Sequence, residues 1–258
     1  MMNDDSTTKI LEGLTSPSKA IVRVGLILLS TDEVGGKAFT SIMPASDTLV
    51  FTTRTAYEHS DGFAVATSYR ELADTLPPTG RFDVLAFSCT SGTIALGVDT
   101  LLAELALARP GVRYTSPAIA AVSALRQLSA KRIVVMTPYP VAFHKSSILP
   151  FFRGHEFDVV ADGTFDKHSD AEIGELRADC ILGGARMLVE TASPDALFVS
   201  CTATPVVPLI AQLEKELGIP VVTSTQAMAW DALRLAGYLR PIDGFGRLLT
   251  LNRELTVR

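Results

Sequence analysis

Cysteine is scarce in this chain: three residues among 258, at positions 89, 180 and 201. So sparse and odd a set excludes a disulfide framework and fits a reducing compartment, so a cytoplasmic location is expected. No uninterrupted apolar run approaches a membrane span. The polar N-terminus (Asn3, Asp4, Asp5, Ser6, Thr7, Thr8) has neither the basic nor the apolar region of a secretory signal. There is no Gly-x-Gly-x-x-Gly or Walker pattern, so no nucleotide cofactor is indicated. No Cys-x-x-Cys occurs, and the four histidines (59, 144, 155 and 168) lack ligand spacing. Neither a metal nor any other cofactor is therefore expected. A surplus of positive charge is also missing. The net charge is −5, which argues against nucleic acid as a partner.

What the chain does have is an internal repeat. Asp83-Val84-Leu85-Ala86-Phe87-Ser88-Cys89-Thr90 is echoed by Asp195-Ala196-Leu197-Phe198-Val199-Ser200-Cys201-Thr202, with the second cysteine 112 residues after the first. Each copy is a short apolar run ending in Ser-Cys-Thr and passing into a helical pattern. That pattern describes a buried parallel strand delivering a thiol at its carboxyl end, beside a helix N-terminus. Backbone N–H groups there are expected to lower the thiol pKa. The likeness continues further along the chain. Thr115-Ser116 with Ala121, Ala124, Leu125 and Arg126 matches Thr223-Ser224 with Ala229, Ala232, Leu233 and Arg234.

Strands are expected at Ile21–Leu29, Thr48–Arg54, around Cys89, at Lys131–Met136, Glu156–Ala161, around Cys201 and at Pro220–Thr223. Helical spacing covers Lys37–Met43, Gly62–Leu76, Thr93–Leu107, Ala118–Leu128, Ala142–Phe152, Val206–Leu217 and Gln226–Leu235. A long helix in two parts, with Gly183-Gly184 at its middle, is expected over Asp170–Thr191. Alternating strands and helices mean parallel sheets. The fold class is therefore α/β, with two lobes related by a pseudo-twofold axis, each a parallel sheet flanked by helices. The active site is expected in the cleft between them. The boundaries follow: a flexible tail over 1–20, lobe 1 over 21–127 with Cys89, lobe 2 over 128–235 with Cys201, and a C-terminal segment, 236–258, returning to lobe 1.

Cys89 and Cys201 are the candidate catalytic groups. Matching Ser-Cys-Thr copies favour chemistry over two small buried residues, although free cysteine is often simply core. Thr90, Ser91 and Thr202 sit where a helix begins, placed either to cap it or to bind a carboxylate. Tyr139 follows a strand of the second lobe and is either a buried structural tyrosine or a binding group. Asp32, in the corresponding loop of the first lobe, either faces the cleft or caps the next helix. Asp170, at a helix start, is read first as a cap and second as a binding residue. Cys180 falls on an apolar helix face and is expected in the core.

Ser88-Cys89-Thr90-Ser91-Gly92-Thr93, Ser200-Cys201-Thr202, Pro220-Val221-Val222-Thr223-Ser224-Thr225-Gln226-Ala227 and Trp230 together resemble the aspartate/glutamate racemase superfamily. The resemblance is to its branch of maleate cis-trans isomerase, arylmalonate decarboxylase and the ectoine-utilisation proteins, and runs from about Ile21 to about Leu249. It implies a cofactor-free enzyme whose lobes close on a small carboxylate, with Cys89, Cys201 and Tyr139 at the family's catalytic and carboxylate-binding positions. The decarboxylase resembled keeps only the second cysteine. Maleate isomerases carry asparagine where this chain has Asp32 and another near Asp170; the ectoine-utilisation members and the amino-acid racemases are closer at Asp32. The expected function is a two-cysteine isomerase or racemase of a small carboxylate, amino-acid-like or ectoine-derived. Maleate cis-trans isomerisation, arylmalonate-type decarboxylation and non-catalytic carboxylate binding are the alternatives. The expected partner is that small molecule, with neither nucleic acid nor membrane; homo-oligomerisation stays open.

Overall fold

The computed structural model describes residues 13, 21–60, 62–65, 68–78 and 82–252. The tail expected over 1–20 lies outside the described residues apart from Gly13, as does 253–258 of the C-terminal segment.

The first half opens with β1 (Val22–Leu29), α1 (Gly35–Ile42) and β2 (Thr48–Thr55). An antiparallel hairpin follows, β3 (Tyr57–Ser60) and β4 (Gly62–Val65), then a short α2 (Tyr69–Asp74). The helix expected over Gly62–Leu76 is thus a strand followed by a helix. Ser68 starts that helix through a capping box with Glu71. Next come β5 (Val84–Ser88), α3 (Thr90–Leu96), α4 (Val98–Ala108), β6 (Arg113–Thr115) and α5 (Pro117–Gln127). One helix was expected over Thr93–Leu107. Instead Gly97, at φ +88°, separates α3 from α4, and the two helices bend by 101°.

The second half repeats the plan. It holds β7 (Arg132–Thr137), then α6 (Val141–Phe143) and α7 (Leu149–Gly154) joined by a π-helical turn over His144–Ile148. β8 (Asp158–Thr164), α8 (Asp170–Gly174), α9 (Ala178–Glu190) and β9 (Ala196–Val199) follow. α10 (Ile210–Leu217), β10 (Val221–Thr223) and α11 (Ser224–Leu235) complete it. The break in the Asp170–Thr191 segment falls between α8 and α9, before Gly183-Gly184, which lies inside α9.

The strands form two parallel four-stranded sheets of matching order, β2-β1-β5-β6 and β10-β9-β7-β8. Parallel sheets need cover on both faces, and β1 shows it. Val22, Val24, Leu26 and Leu28 enter a core continuous with the second half, whereas Ile27 and Leu29 join a separate cluster with Leu72, Phe87 and Leu101. The cover is partly exchanged. α11, the last helix of the second half, packs on β5, β6 and α1 of the first; α5 packs on α11 and reaches β10. Thr115 Oγ1 donates to Asp231 Oδ2 across this junction at 2.6 Å. The C-terminal segment touches both halves. Tyr238 Oη and Arg240 Nη1 meet Asp47 at 3.2 and 3.1 Å, while Arg247 N and Gln226 tie it to the second half. No single helix among the described residues is long and apolar enough to cross a membrane.

Candidate active site

Cys89 ends a fully buried strand and is itself the N-cap of α3. Its Sγ accepts from Gly92 N at 3.2 Å and lies 3.5 Å from Ser91 Oγ. Thr93 Oγ1 holds the Cys89 carbonyl at 2.7 Å. Cys201 also follows a buried strand, but no helix starts there. Its backbone is left-handed, at φ +77°, and a turn intervenes before Val207. A non-glycine residue adopts that region only where its surroundings hold it, a cost common at functional sites. Thr204 Oγ1 secures the turn by donating to Ser200 O at 2.9 Å.

The threonine after each cysteine is bonded across the lobes. Thr90 Oγ1 donates to Ser224 Oγ at 2.9 Å, and Thr202 Oγ1 donates to Asp32 Oδ2 at 2.8 Å. These two bonds set the thiol-bearing turns against one another. Asp32 is 2% exposed. Its other oxygen, Oδ1, accepts from Val34 N at 2.9 Å and Gly35 N at 2.6 Å. Asp32 therefore both anchors the start of α1 and faces the cleft. A Cβ at position 35 would overlap Asp32 Oδ2, so only glycine allows this approach. Asp170 is the first residue of α8, whose N-cap is Ser169. Its Oδ2 accepts from Thr31 Oγ1 at 2.5 Å, joining the second half to the β1–α1 loop.

Tyr139 is buried, accepts from Ser200 Oγ at 3.3 Å, and packs edge-on against Phe143 at 5.6 Å. All eight residues singled out from the sequence (Asp32, Cys89, Thr90, Ser91, Tyr139, Asp170, Cys201 and Thr202) line one cavity of about 470 Å³. Leu29, Ala95, Phe143 and Ile173 supply its apolar wall, and Lys167 and His168 its basic groups. Sequence reasoning missed these. The only signal was adjacency: Phe143 follows the Tyr139 loop, and Lys167 precedes Asp170. Cys180 is exposed, contrary to the expected core position, because α9 turns Ile181 and Ala185 inward instead. His144 is buried between Thr137 Oγ1 and Asp162 Oδ2, at 2.9 Å each, outside the cavity lining.

The electrostatics reverse an expectation. Burial pushes the Cys89 thiol up to about 12. The bonds from Ser91 and Gly92 pull the other way and are outweighed, and the carboxylates of Asp170 and Asp32 add to the rise. Burial also raises Cys201 well above the ordinary thiol range, again helped by Asp170 and Asp32. Desolvation disfavours the thiolate more than a few oriented N–H groups favour it. Burial, then Cys201, likewise holds the Tyr139 hydroxyl well above its usual value, so it keeps its proton and remains a donor. Among the described residues no group of three or more His, Cys, Asp or Glu side chains is arranged to hold a metal ion.

Two parallel four-stranded sheets of matching order, flanked by helices, place the chain in the aspartate/glutamate racemase-like superfamily of α/β proteins. Within it, the family model for arylmalonate decarboxylase matches residues 60–249, and the chain belongs to that family. The maleate isomerase of Nocardia farcinica (strain IFM 10152) is 27% identical over 256 residues, covering 92% of this chain and 98% of the relative. A structure of a Nocardia farcinica maleate cis-trans isomerase mutant with a covalently bound succinylcysteine intermediate superimposes with a TM-score of 0.76. It is 24% identical, over 89% of this chain and 98% of the other. A crystal structure of arylmalonate decarboxylase gives 0.69 at 20% identity, over 88% and 98%.

Proposed function

We propose that this chain is a cofactor-independent isomerase that works on a small carboxylate with two thiols, one from each half. The observation that carries the reading is the convergence of Cys89, Cys201 and Tyr139 on one cavity. One cysteine, as thiolate, takes the proton beside the carboxylate. The other, as thiol, delivers its proton to the opposite face, so one proton leaves and one returns. Thr90, Ser91, Tyr139 and Thr202 hold the carboxylate and the enediolate that forms between the two transfers. Asp32 and Asp170 favour a substrate that also bears a nitrogen group, such as an amino acid or an ectoine-like ring. A second carboxylate about 5 Å from Asp32 would be repelled by about 3 kcal/mol at an effective dielectric near 20. A cationic nitrogen would instead offset the two carboxylates that raise both thiols, so the group that binds would also ease thiolate formation.

Maleate cis-trans isomerisation is the second reading, favoured by the near full-length similarity to the Nocardia farcinica enzyme. In it Cys89 adds to the double bond as Cys201 supplies a proton to the neighbouring carbon. Rotation about the new single bond, removal of that proton and loss of the thiolate complete the change. The succinylcysteine of the relative supports such an addition.

The test is incubation with a panel of small carboxylates in deuterated water, read by NMR. Deuterium at the α-carbon of a nitrogen-bearing substrate is expected. Efficient conversion of maleate, unimpaired in wild type and no better in Asp32→Asn, would put the second reading first. Loss of carbon dioxide from a malonate would favour decarboxylation over both.

A further inference from the structure

We propose that Arg54 is a positioning residue that sets Asp32 from outside the cavity. Arg54 lies on the edge strand β2, opposite Leu28 in register, and is absent from the cavity lining. Its Nη1 donates to Leu29 O and to Asp32 O, each at 2.8 Å. These two carbonyls bracket the turn that carries Asp32, a turn otherwise closed by Asp32 N donating to Leu29 O at 3.2 Å. A guanidinium suits this task. It stays charged, and one of its nitrogens has two hydrogens in a fixed plane, enough to bridge two carbonyls.

What Arg54 fixes is transmitted inward. The Asp32 carboxylate is bound at once to its own loop, through Val34 N and Gly35 N, and to the turn after Cys201, through Thr202 Oγ1. A turn loosened behind Asp32 releases the Thr202 bond and one wall of the thiol cleft. The second half has a corresponding brace. Thr164, on its edge strand β8 and opposite Thr137 in register, donates its hydroxyl to the carbonyl of Tyr139. Each cleft loop is thus held from behind by the strand at the sheet's edge, and neither bracing side chain needs to touch a ligand.

The inference rests on the reading of Asp32 as part of the site, but its test needs no substrate. Wild type, R54M, D32N and the double variant are treated with iodoacetamide, and labelling of Cys89 and Cys201 is followed by peptide mass spectrometry. Removing the carboxylate in D32N eases ionisation of both thiols, and releasing it in R54M opens the cleft. Each variant is expected to label at least about fivefold faster than wild type. The double variant is expected to label faster than wild type by clearly less than the product of the two single effects, because the turn Arg54 holds through Leu29 O and Asp32 O is the one that aims the Asp32 carboxylate. R54K, which keeps a donor, is expected to fall between wild type and R54M, and it carries the test if R54M fails to fold. Labelling of R54M at the wild-type rate, or rate increases that multiply in the double variant, would overturn the proposal. If D32N leaves the choice between maleate and nitrogen-bearing carboxylates unchanged, the functional reading falls, while the labelling comparison still decides the brace.

Discussion

At the scale of single residues, the cleft holds two thiols that burial keeps protonated in the free protein. If each serves one face of the substrate, Cys89→Ser and Cys201→Ser should each lower turnover by at least about 10³-fold, as removal of a member of a cooperating pair does. Cys180→Ser, at an exposed position on α9, should stay within a few-fold of wild type. Near-normal turnover in either cleft variant would remove the two-sided mechanism. The raised thiols also make a stability prediction. Cys89 is lifted from 9.0 to about 12 in the folded chain, so the folded state binds this proton more tightly than the unfolded one. The stabilisation is complete below pH of about 9 and is lost as pH rises toward about 12, by at most about 1.4 kcal/mol per pH unit. Urea unfolding of wild type and Cys89→Ser between pH 8 and pH 10.5 should show wild type losing stability faster. Parallel curves would mean the thiol is not held protonated by the fold. The helix start was legible at Cys89, but its consequence was not. A motif names the local dipole, whereas desolvation depends on every element packed around the sulfur.

At the scale of elements, the clearest signals were the uniform apolar runs of β1, β5, β7 and β9. Strands buried on both faces carry little else. The repeat of Ser-Cys-Thr and of Thr-Ser paired these strands across the halves, and so located the cleft. What was missed lay where periodicity is ambiguous. Tyr69, Leu72 and Leu76 have helical spacing, and extending it back to Gly62 hid the hairpin ahead of Ser68. The turn at Cys201 was invisible because a left-handed cysteine leaves no mark in composition. The break between α3 and α4 had a signal in Gly97 that helical spacing outweighed. Its φ of +88° lies where a side chain is strained, so Gly97→Ala should cost about 1–3 kcal/mol. Chemical denaturation measures this directly. A neutral substitution would show that the sharp bend does not depend on glycine there. Because α3 begins at Cys89, the same variant should also disturb the thiol's bond from Gly92.

At the scale of the whole molecule, the two halves share one core. α11 closes the sheet of the first half, and the hydrophobic cluster runs from Val24 through Ala121 to Val134 and Trp230. Unfolding should therefore be a single transition. Trp230 is the only tryptophan and is fully buried in α11, so its fluorescence reports the junction between the halves. Its denaturation curve should coincide with that of far-UV circular dichroism. A fluorescence change that precedes the loss of helix would mean the halves separate before either melts. The traded helices also bear on descent. A protein made of one such half would leave bare the faces that α5 and α11 now cover, and it would find that cover most readily by lending its last helix to a second copy of itself. In such a symmetric pair two identical cysteines would share one cleft, as Cys89 and Cys201 do within this single chain.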